Sequence, residues 1–419
     1  MLGQRHRSYV ISAVIVTLIL VAQPCISSAA SERVIHSFVD CSEDACSPLA
    51  APMFDGVGHL YGTAGGGGEY VGAGTVYALT RTRDGWSEGV IYTFDVHDGA
   101  GPAAPLIADN YGNLYGTTTG GGAHDWGVVF QLTPESEGWS ETVLYSFCSE
   151  GGGYCTDGQN PWAGVVMDKS GDLFGLTRQG GYKGVCGVAF ELTPNGDDWT
   201  EQVIHTFERK PPNDACEPYF SPVLDAGEKH LFGSSYYGGP DDYGTVFEIS
   251  PTMNGKWNER VVLSLQGAKD GSHPYGGLVF DRAGNLYGTA SEYGPTGQGT
   301  VFKLSPAAHG QWRETILYTF PKIENGGYPL GTLAIDRKGA LYGIAGGGNN
   351  CSGDACGVTY KLAPQAHGKW KYTVVYKFNG SDGMWPQGGV ILDKQQKHLY
   401  GTTEYGGAYG YGVVFQITL

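Results

Sequence analysis

Aromatic rings interleaved with carboxylates recur along this chain. They are Tyr70 beside Glu69, Trp126 after His124 and Asp125, the run Tyr236, Tyr237, Asp241, Asp242 and Tyr243, Tyr293 after Glu292, and Glu404, Tyr405 and Tyr409. Flat rings offer stacking faces, and neighbouring carboxylates and hydroxyls offer directional hydrogen bonds; together they compose a platform for a sugar or a peptide. The same tyrosines would equally fill space between glycine-rich loops. His124 with Asp125, or Glu404 with Tyr405, could serve acid–base chemistry, but a general acid or base is defined by geometry and shifted pKa values that a sequence does not display. The string Gly85-Trp86-Ser87-Glu88-Gly89 lies in a tryptophan-led segment and not in the strand-to-helix turn of a nucleophile elbow, there is no His-Glu-x-x-His, and Gly65–Gly68 lacks the Lys-Ser/Thr and helix of a phosphate-binding loop. The expectation is a binding or interaction module for carbohydrate or peptide ligands rather than an enzyme, with no catalytic residue assigned. The alternative is a secreted carbohydrate-active enzyme, a hydrolase or lyase.

A second series places an acid or amide four residues ahead of a proline: Asp44, Asp98, Asp157, Asp214, Asp270, Asn325 and Asp382. Six carboxylates ringed about an axis could bind calcium or a hydroxyl-rich ligand. An Asp followed by Gly, as at Asp98, Asp157, Asp270 and Asp382, also forms an Asx-turn that caps a loop. A feature present in every repeat is explained more simply by repeat geometry, so no cofactor is predicted and calcium is the one ion the ring suggests.

The elements that must position these residues repeat. Leu-aromatic-Gly occurs at Leu60, Leu114, Leu173, Leu231, Leu286, Leu341 and Leu399, 54 to 59 residues apart. Each copy is followed by Gly-x-Val/Thr/Ala-Phe/Tyr, starting at Gly74, Gly127, Gly187, Gly244, Gly299, Gly357 and Gly412. An apolar segment ending in Asp precedes the first motif, with Asp-x-x-Gly-x-Leu turns at Asp109, Asp168, Asp281 and Asp336. A strand such as Val143–Phe147, introduced by a tryptophan, follows the second. Each unit is a four-stranded meander (a, b, c, d), and seven such sheets stack face to face around an axis. The predicted fold is therefore all-β, a seven-bladed β-propeller of four-stranded antiparallel blades. The blades span about 51–94, 104–147, 163–207, 221–265, 276–320, 331–378 and 388–418. A lone d-type strand at 34–38 precedes the first blade and completes the last, closing the ring and hiding its edge.

In this arrangement the b–c and d–a connections share one face. Cys41, Cys46, Cys148, Cys155, Cys186, Cys216, Cys351 and Cys356 all fall there, and proximity suggests Cys41–Cys46, Cys148–Cys155, Cys186–Cys216 and Cys351–Cys356 among many pairings. An even cysteine count fits an exported chain. Arg5, Arg7, the apolar run Tyr9–Ala22 and Ser28-Ala29-Ala30 read as a signal peptide over 1–30, which leaves 31–419 as one secreted or periplasmic domain. A retained anchor would need a longer run.

Gly-Asn-Leu-Tyr-Gly-Thr at Gly112–Thr117 and Gly284–Thr289, followed by Gly-x-Val-Phe-x-Leu-x-Pro at Gly127–Pro134 and Gly299–Pro306, resembles the bacterial GloVer tandem repeat. The resemblance implies an exported bacterial protein and brings no catalytic residue with it. The strand order is also similar to NHL-like propellers, which implies an innermost a strand. Composition agrees: 69 glycines without a three-residue period exclude collagen, and 41% hydrophobic residues exclude general disorder. With 42 acidic against 26 basic residues and a net charge of −16, neither nucleic acid nor an anionic membrane is an expected partner, and a monomer is expected.

Overall fold

The computed structural model describes residues 30–419 apart from 43, 69–71, 151–152, 182, 184, 197, 210–213, 349–350 and 352–355. Tyr70 and nearly all of the expected signal peptide lie outside the described residues. The described residues form seven four-stranded antiparallel sheets arranged as a propeller. In blade 1 the strands are Met53–Phe54 (a), Leu60–Ala64 (b), Thr75–Arg81 (c) and Trp86–Thr93 (d). In blade 7, Val390–Leu392, His398–Thr403 and Val413–Thr418 are joined by Ser31–Ser37 as the fourth strand. That strand runs from Ser31 opposite Thr418 to Ser37 opposite Val413, with a bulge between Val34 and His36. The ring is thus closed by the pairing of Ser31–Ser37 with Val413–Thr418.

The two sequence signatures are halves of one contact. Gly62, Gly116, Gly175, Gly233, Gly288, Gly343 and Gly401 each stand opposite the aromatic of strand c: Tyr77, Phe130, Phe190, Phe247, Phe302, Tyr360 and Phe415. The ring folds over the glycine; a Cβ at Gly116 would lie 2.6 Å from Phe130 Cζ. A phenylalanine just past strand d then packs against the c aromatic of the next blade, edge-on in Phe94–Phe130 at 5.0 Å and Phe147–Phe190 at 5.1 Å and tilted in Phe378–Phe415 at 5.0 Å. Strand-b hydroxyls also reach across: Thr63 donates to the Ala104 carbonyl at 2.9 Å, Thr117 to Ala163 at 2.9 Å and Thr402 to Ala50 at 2.8 Å. No blade can bury both faces alone, so inter-blade packing carries the fold.

Disulfides join Cys41–Cys46, Cys148–Cys155, Cys186–Cys216 and Cys351–Cys356. The a–b turns are closed by Asp side chains; Asp109 Oδ1, for example, accepts the N–H groups of Tyr111 and Asn113. Among the described residues no helix is long and apolar enough to cross a membrane.

The d–a acids sit in the junctions between blades. Asp44, Asp98, Asp157, Asp214, Asp270 and Asp382 each accept a backbone N–H, from Val39, Asp95, Ser149, Glu208, Gln266 and Asn379, at 2.7 to 2.9 Å. At three junctions a strand-d tyrosine also donates to the acid: Tyr92 to Asp98 at 2.5 Å, Tyr145 to Asp157 at 2.8 Å and Tyr376 to Asp382 at 2.5 Å. A glutamate from the next blade completes each of these three junctions. Burial, reinforced by the facing aspartate, pushes Glu141 and Glu201 up to about 8 and Glu32 up to about 7.

Candidate functional site

A channel of about 820 Å³ runs along the propeller axis and is lined mainly by the a strands. Its mouth on the disulfide-bearing face is built from sevenfold-equivalent positions. Ser47, Gly101, Asn160, Glu217, His273, Tyr328 and Trp385 each directly precede a proline and hold φ between 50° and 66°. A residue before proline prefers extended backbone, and a non-glycine residue in the left-handed region costs about 1–3 kcal/mol. One repeated bond holds the conformation: each carbonyl accepts the N–H of a b–c loop residue, namely Gly65, Thr119, Arg178, Tyr236, Ser291, Gly346 and Glu404 in turn. Just past the prolines, Leu49, Ala103, Trp162, Tyr219, Tyr275 and Gln387 line the channel. The backbone is the same seven times, and only the side chains differ.

Their chemistry is one-sided. Blades 1, 2 and 6 contribute small or apolar groups such as Ser47, Gly65, Ala103 and Gly346, whereas blades 3, 4 and 5 bring arginine, glutamate, histidine and tyrosines together. Arg178 Nε donates to Glu217 Oε2 at 3.0 Å, and its guanidinium lies 4.7 Å over the Tyr219 ring. Tyr219 stands 5.6 Å from Tyr236 and 5.4 Å from Tyr275 between ring centroids. Tyr236 stacks on His273 at 4.5 Å with 28° between planes. His273 Nδ1 is 2.9 Å from Ser272 Oγ and 3.3 Å from Glu292 Oε2, so both partners engage the same ring nitrogen. With Nδ1 donating, Nε2 is left as the basic nitrogen. Burial, with the Glu292 charge behind it, pushes the Tyr236 hydroxyl up to about 12. Tyr275 is raised by burial and by Glu404, against the lowering effect of Arg178, so Glu404 from blade 7 acts electrostatically on the same mouth. Gln387 donates to Glu404. The constellation offers a histidine base, a protonated phenol, a guanidinium and aromatic walls.

Of the residues singled out from sequence, Tyr236, Tyr237, Tyr243 and Tyr293 gather around His273, with centroids 4.5 to 6.5 Å from its ring. Asp242 instead accepts from Arg209 and from the Gly238 N–H, while Asp241 is exposed. Glu404 faces the mouth and Tyr405 packs 6.3 Å from Trp385. Trp126 and Tyr409 are exposed, 42% and 58%, and share no ring contact with the His273 cluster. Arg178, Glu217, Tyr219, His273 and Tyr275 were missed because they flank a proline or follow a repeat motif and look like filler. Aligning the seven repeats and asking where side chains diverge on an unchanging backbone would have found them.

The Gloeobacter/Verrucomicrobia repeat matches residues 47–258 and 254–419, and the chain belongs to that family. No curated protein matches it. Among solved structures it is similar to a periplasmic gluconolactonase of Pseudomonas aeruginosa, at 15% identity and TM-score 0.51 over 83% of this chain and 95% of that one. It is also similar to a polysaccharide lyase, an ulvan lyase bound to -[GlcA(1-4)Rha3S]-, at 11% identity and TM-score 0.52 over 92% and 96%. At these identities the likeness is one of fold. It nonetheless overturns the expectation of a non-enzymatic module, because these propellers of the same architecture are named as a lactonase and a lyase. That expectation leaned on contiguous catalytic motifs, whereas the propeller fold brings single residues of different blades together, as with Tyr236 and His273.

Proposed function

We propose that this protein is a secreted carbohydrate-active enzyme that cleaves a uronate-containing saccharide by β-elimination at the channel mouth. The observation that carries the reading is the contact chain Arg178–Tyr219–Tyr236–His273, which gathers a guanidinium, a protonated phenol and an oriented imidazole beside the channel-lining Tyr219 and Tyr275. Glu217 engages Arg178 through Nε, which leaves the terminal N–H groups to take a uronate carboxylate as a fork. Neutralising that carboxylate acidifies the adjacent C5–H. His273 Nε2 accepts the C5 proton, and the electron pair left behind is delocalised onto the carboxylate held by Arg178. As the C4–O4 bond breaks, that pair forms the C4=C5 double bond and the Tyr236 hydroxyl delivers a proton to the departing oxygen. Trp162, Tyr219 and Tyr275 supply stacking walls. The uronate saccharide bound by the similarly folded lyase supports this substrate class.

The overall charge of −16 repels a long polyanion, so productive binding depends on Arg178, and moderate salt should raise rather than lower the rate. The test is incubation with a panel of uronate polysaccharides, following the ultraviolet absorbance of the unsaturated product. Product formation that falls by at least about 100-fold in both His273→Ala and Tyr236→Phe, with folding unchanged, supports the proposal. No product on any member, or acid released from sugar lactones without an unsaturated product, refutes it.

A further inference from the structure

Two of the blade junctions carry histidine at the strand-d position where four others carry tyrosine. At three junctions the tyrosine hydroxyl closes onto the junction aspartate, at Tyr92–Asp98, Tyr145–Asp157 and Tyr376–Asp382. At His36 and His205 the ring keeps the same placement, edge-on to the following phenylalanine at 4.7 and 4.9 Å, close to the 5.1 Å of Tyr92 on Phe94. The hydroxyl is gone, and the imidazole stops short. His205 Nε2 is 3.9 Å from Asp214 Oδ1 and 3.9 Å from Glu259 Oε2, and His36 Nε2 is 3.7 Å from Asp44 Oδ2.

Each junction thus holds one imidazole nitrogen and two carboxylates, His36–Asp44–Glu88 and His205–Asp214–Glu259, with the converging atoms all within 4.8 Å of one another. These atoms are too far apart to bond directly and too buried to be hydrated freely. His36 Nε2, Glu88 Oε1, His205 Nε2, Asp214 Oδ1 and Glu259 Oε1 are buried without a hydrogen-bond partner. The Glu259 side chain is only 7% exposed. The glutamate oxygen is also unpartnered at Glu32, Glu141, Glu201 and Glu314, so what sets these two junctions apart is the unpartnered imidazole nitrogen beside the two carboxylates, a donor set that fits a positive centre. The backbone already fixes Asp44 and Asp214 through the N–H groups of Val39 and Glu208, so each presents a settled carboxylate.

We infer that these two junctions are binding sites for a divalent transition-metal ion of the zinc class, each bridging two blades through one histidine, one aspartate and one glutamate. Metal–ligand bonds of about 2.0–2.2 Å in a tetrahedron put ligand atoms about 3.4 Å apart, so the histidine–carboxylate pairs at 3.7–3.9 Å need to close by a few tenths of an ångström and the widest pairs, within 4.8 Å, by about 1 Å, a shift within reach of a glutamate side chain. Three protein ligands leave the fourth position to water. An imidazole donor and so few oxygens do not suit calcium, which takes six to eight oxygen ligands. The sites lie in the blade junctions, are independent of the channel mouth, and act as staples that tie blade 7 to blade 1 and blade 3 to blade 4.

The experiment uses the untagged, disulfide-bonded mature protein, stripped with chelator and titrated with zinc by calorimetry, with cobalt(II) absorption as a second readout. His36→Tyr and His205→Tyr install the residue other junctions already use, so folding is retained, and the melting temperature in chelator verifies it. The expected result is two zinc equivalents for the parent, one for each single variant and none for the double variant. A tetrahedral cobalt spectrum and a zinc-dependent rise in melting temperature should be lost in parallel. No zinc uptake by the parent, or retention of either equivalent by the folded double variant, overturns the inference.

Discussion

Replacing Glu141 by glutamine probes whether the blade junctions are held by a shared proton. Glu141 faces Asp98 and Asp95, with the Tyr92 hydroxyl on Asp98, and burial first and these acids second push its carboxyl up from 4.5 to about 8. The folded state therefore binds a proton that the unfolded chain releases above about pH 4.5. A group raised in this way contributes stability that is fully present below its unfolded value and lost as pH climbs through about 8. In a dry site the rise would correspond to about 4–5 kcal/mol. Glu141 is half-buried, and solvent screening reduces this to about 1–2 kcal/mol. Glutamine keeps the shape and the donor without the titration. Glu141→Gln should melt with the parent at pH 5 and about 1–3 °C above it at pH 9, given the length of the chain. Adding Glu32→Gln, Glu201→Gln and Glu314→Gln, whose carboxyls burial raises to about 7, 8 and 7, should enlarge the gap to about 5 °C or more. Thermal scans by circular dichroism across pH 5 to pH 9, in chelator, measure it. If the quadruple variant falls in melting temperature with pH as steeply as the parent, the carboxyls are ionised in the fold and the shared-proton account is wrong.

Gly116→Ala places a methyl 2.6 Å from Phe130 Cζ and 2.8 Å from Leu106 Cδ2, inside the core of blade 2, and should destabilise by about 1–3 kcal/mol in denaturant titration. Gly138→Ala, where a Cβ meets nothing within 4 Å, tests backbone strain alone, since Gly138 has φ 83°. Its effect should fall at about 1–2 kcal/mol, the cost of an alanine in the left-handed region with no steric contribution. The Cys186–Cys216 bond spans 30 residues and ends beside Glu217, the partner of Arg178. Replacing both cysteines by serine should lower stability by about 3–4 kcal/mol on the chain-entropy account and weaken uronate binding more than the same change at Cys41 and Cys46. Equal effects at both pairs would detach the bridge from the site.

How much was legible follows from what kind of constraint each feature obeys. Leu-aromatic-Gly and Gly-x-Val-Phe are local and repeated, so the blades, their number and the completing strand at Val34–Phe38 could be read in advance; the Gly116–Phe130 contact shows why the two motifs travel together. The aspartate turns were legible for the same reason, since Asp109 caps its own neighbours. Tyr236 and Tyr293 were visible as loop aromatics, but His273, preceding Pro274, carried no signal of its own.

Sequence by itself determined the repeat, and with it the closed propeller, because each blade is specified by contacts between residues a few positions apart in adjoining strands. Only the tertiary structure decided which side chains meet. Arg178, Tyr219, Tyr236 and His273 belong to loops from different parts of the chain and touch because the ring brings those loops to one mouth. His205 likewise acquires Glu259 from the next blade, 54 positions along. Pairings of that kind are set by closure of the ring, and no spacing along the chain encodes them.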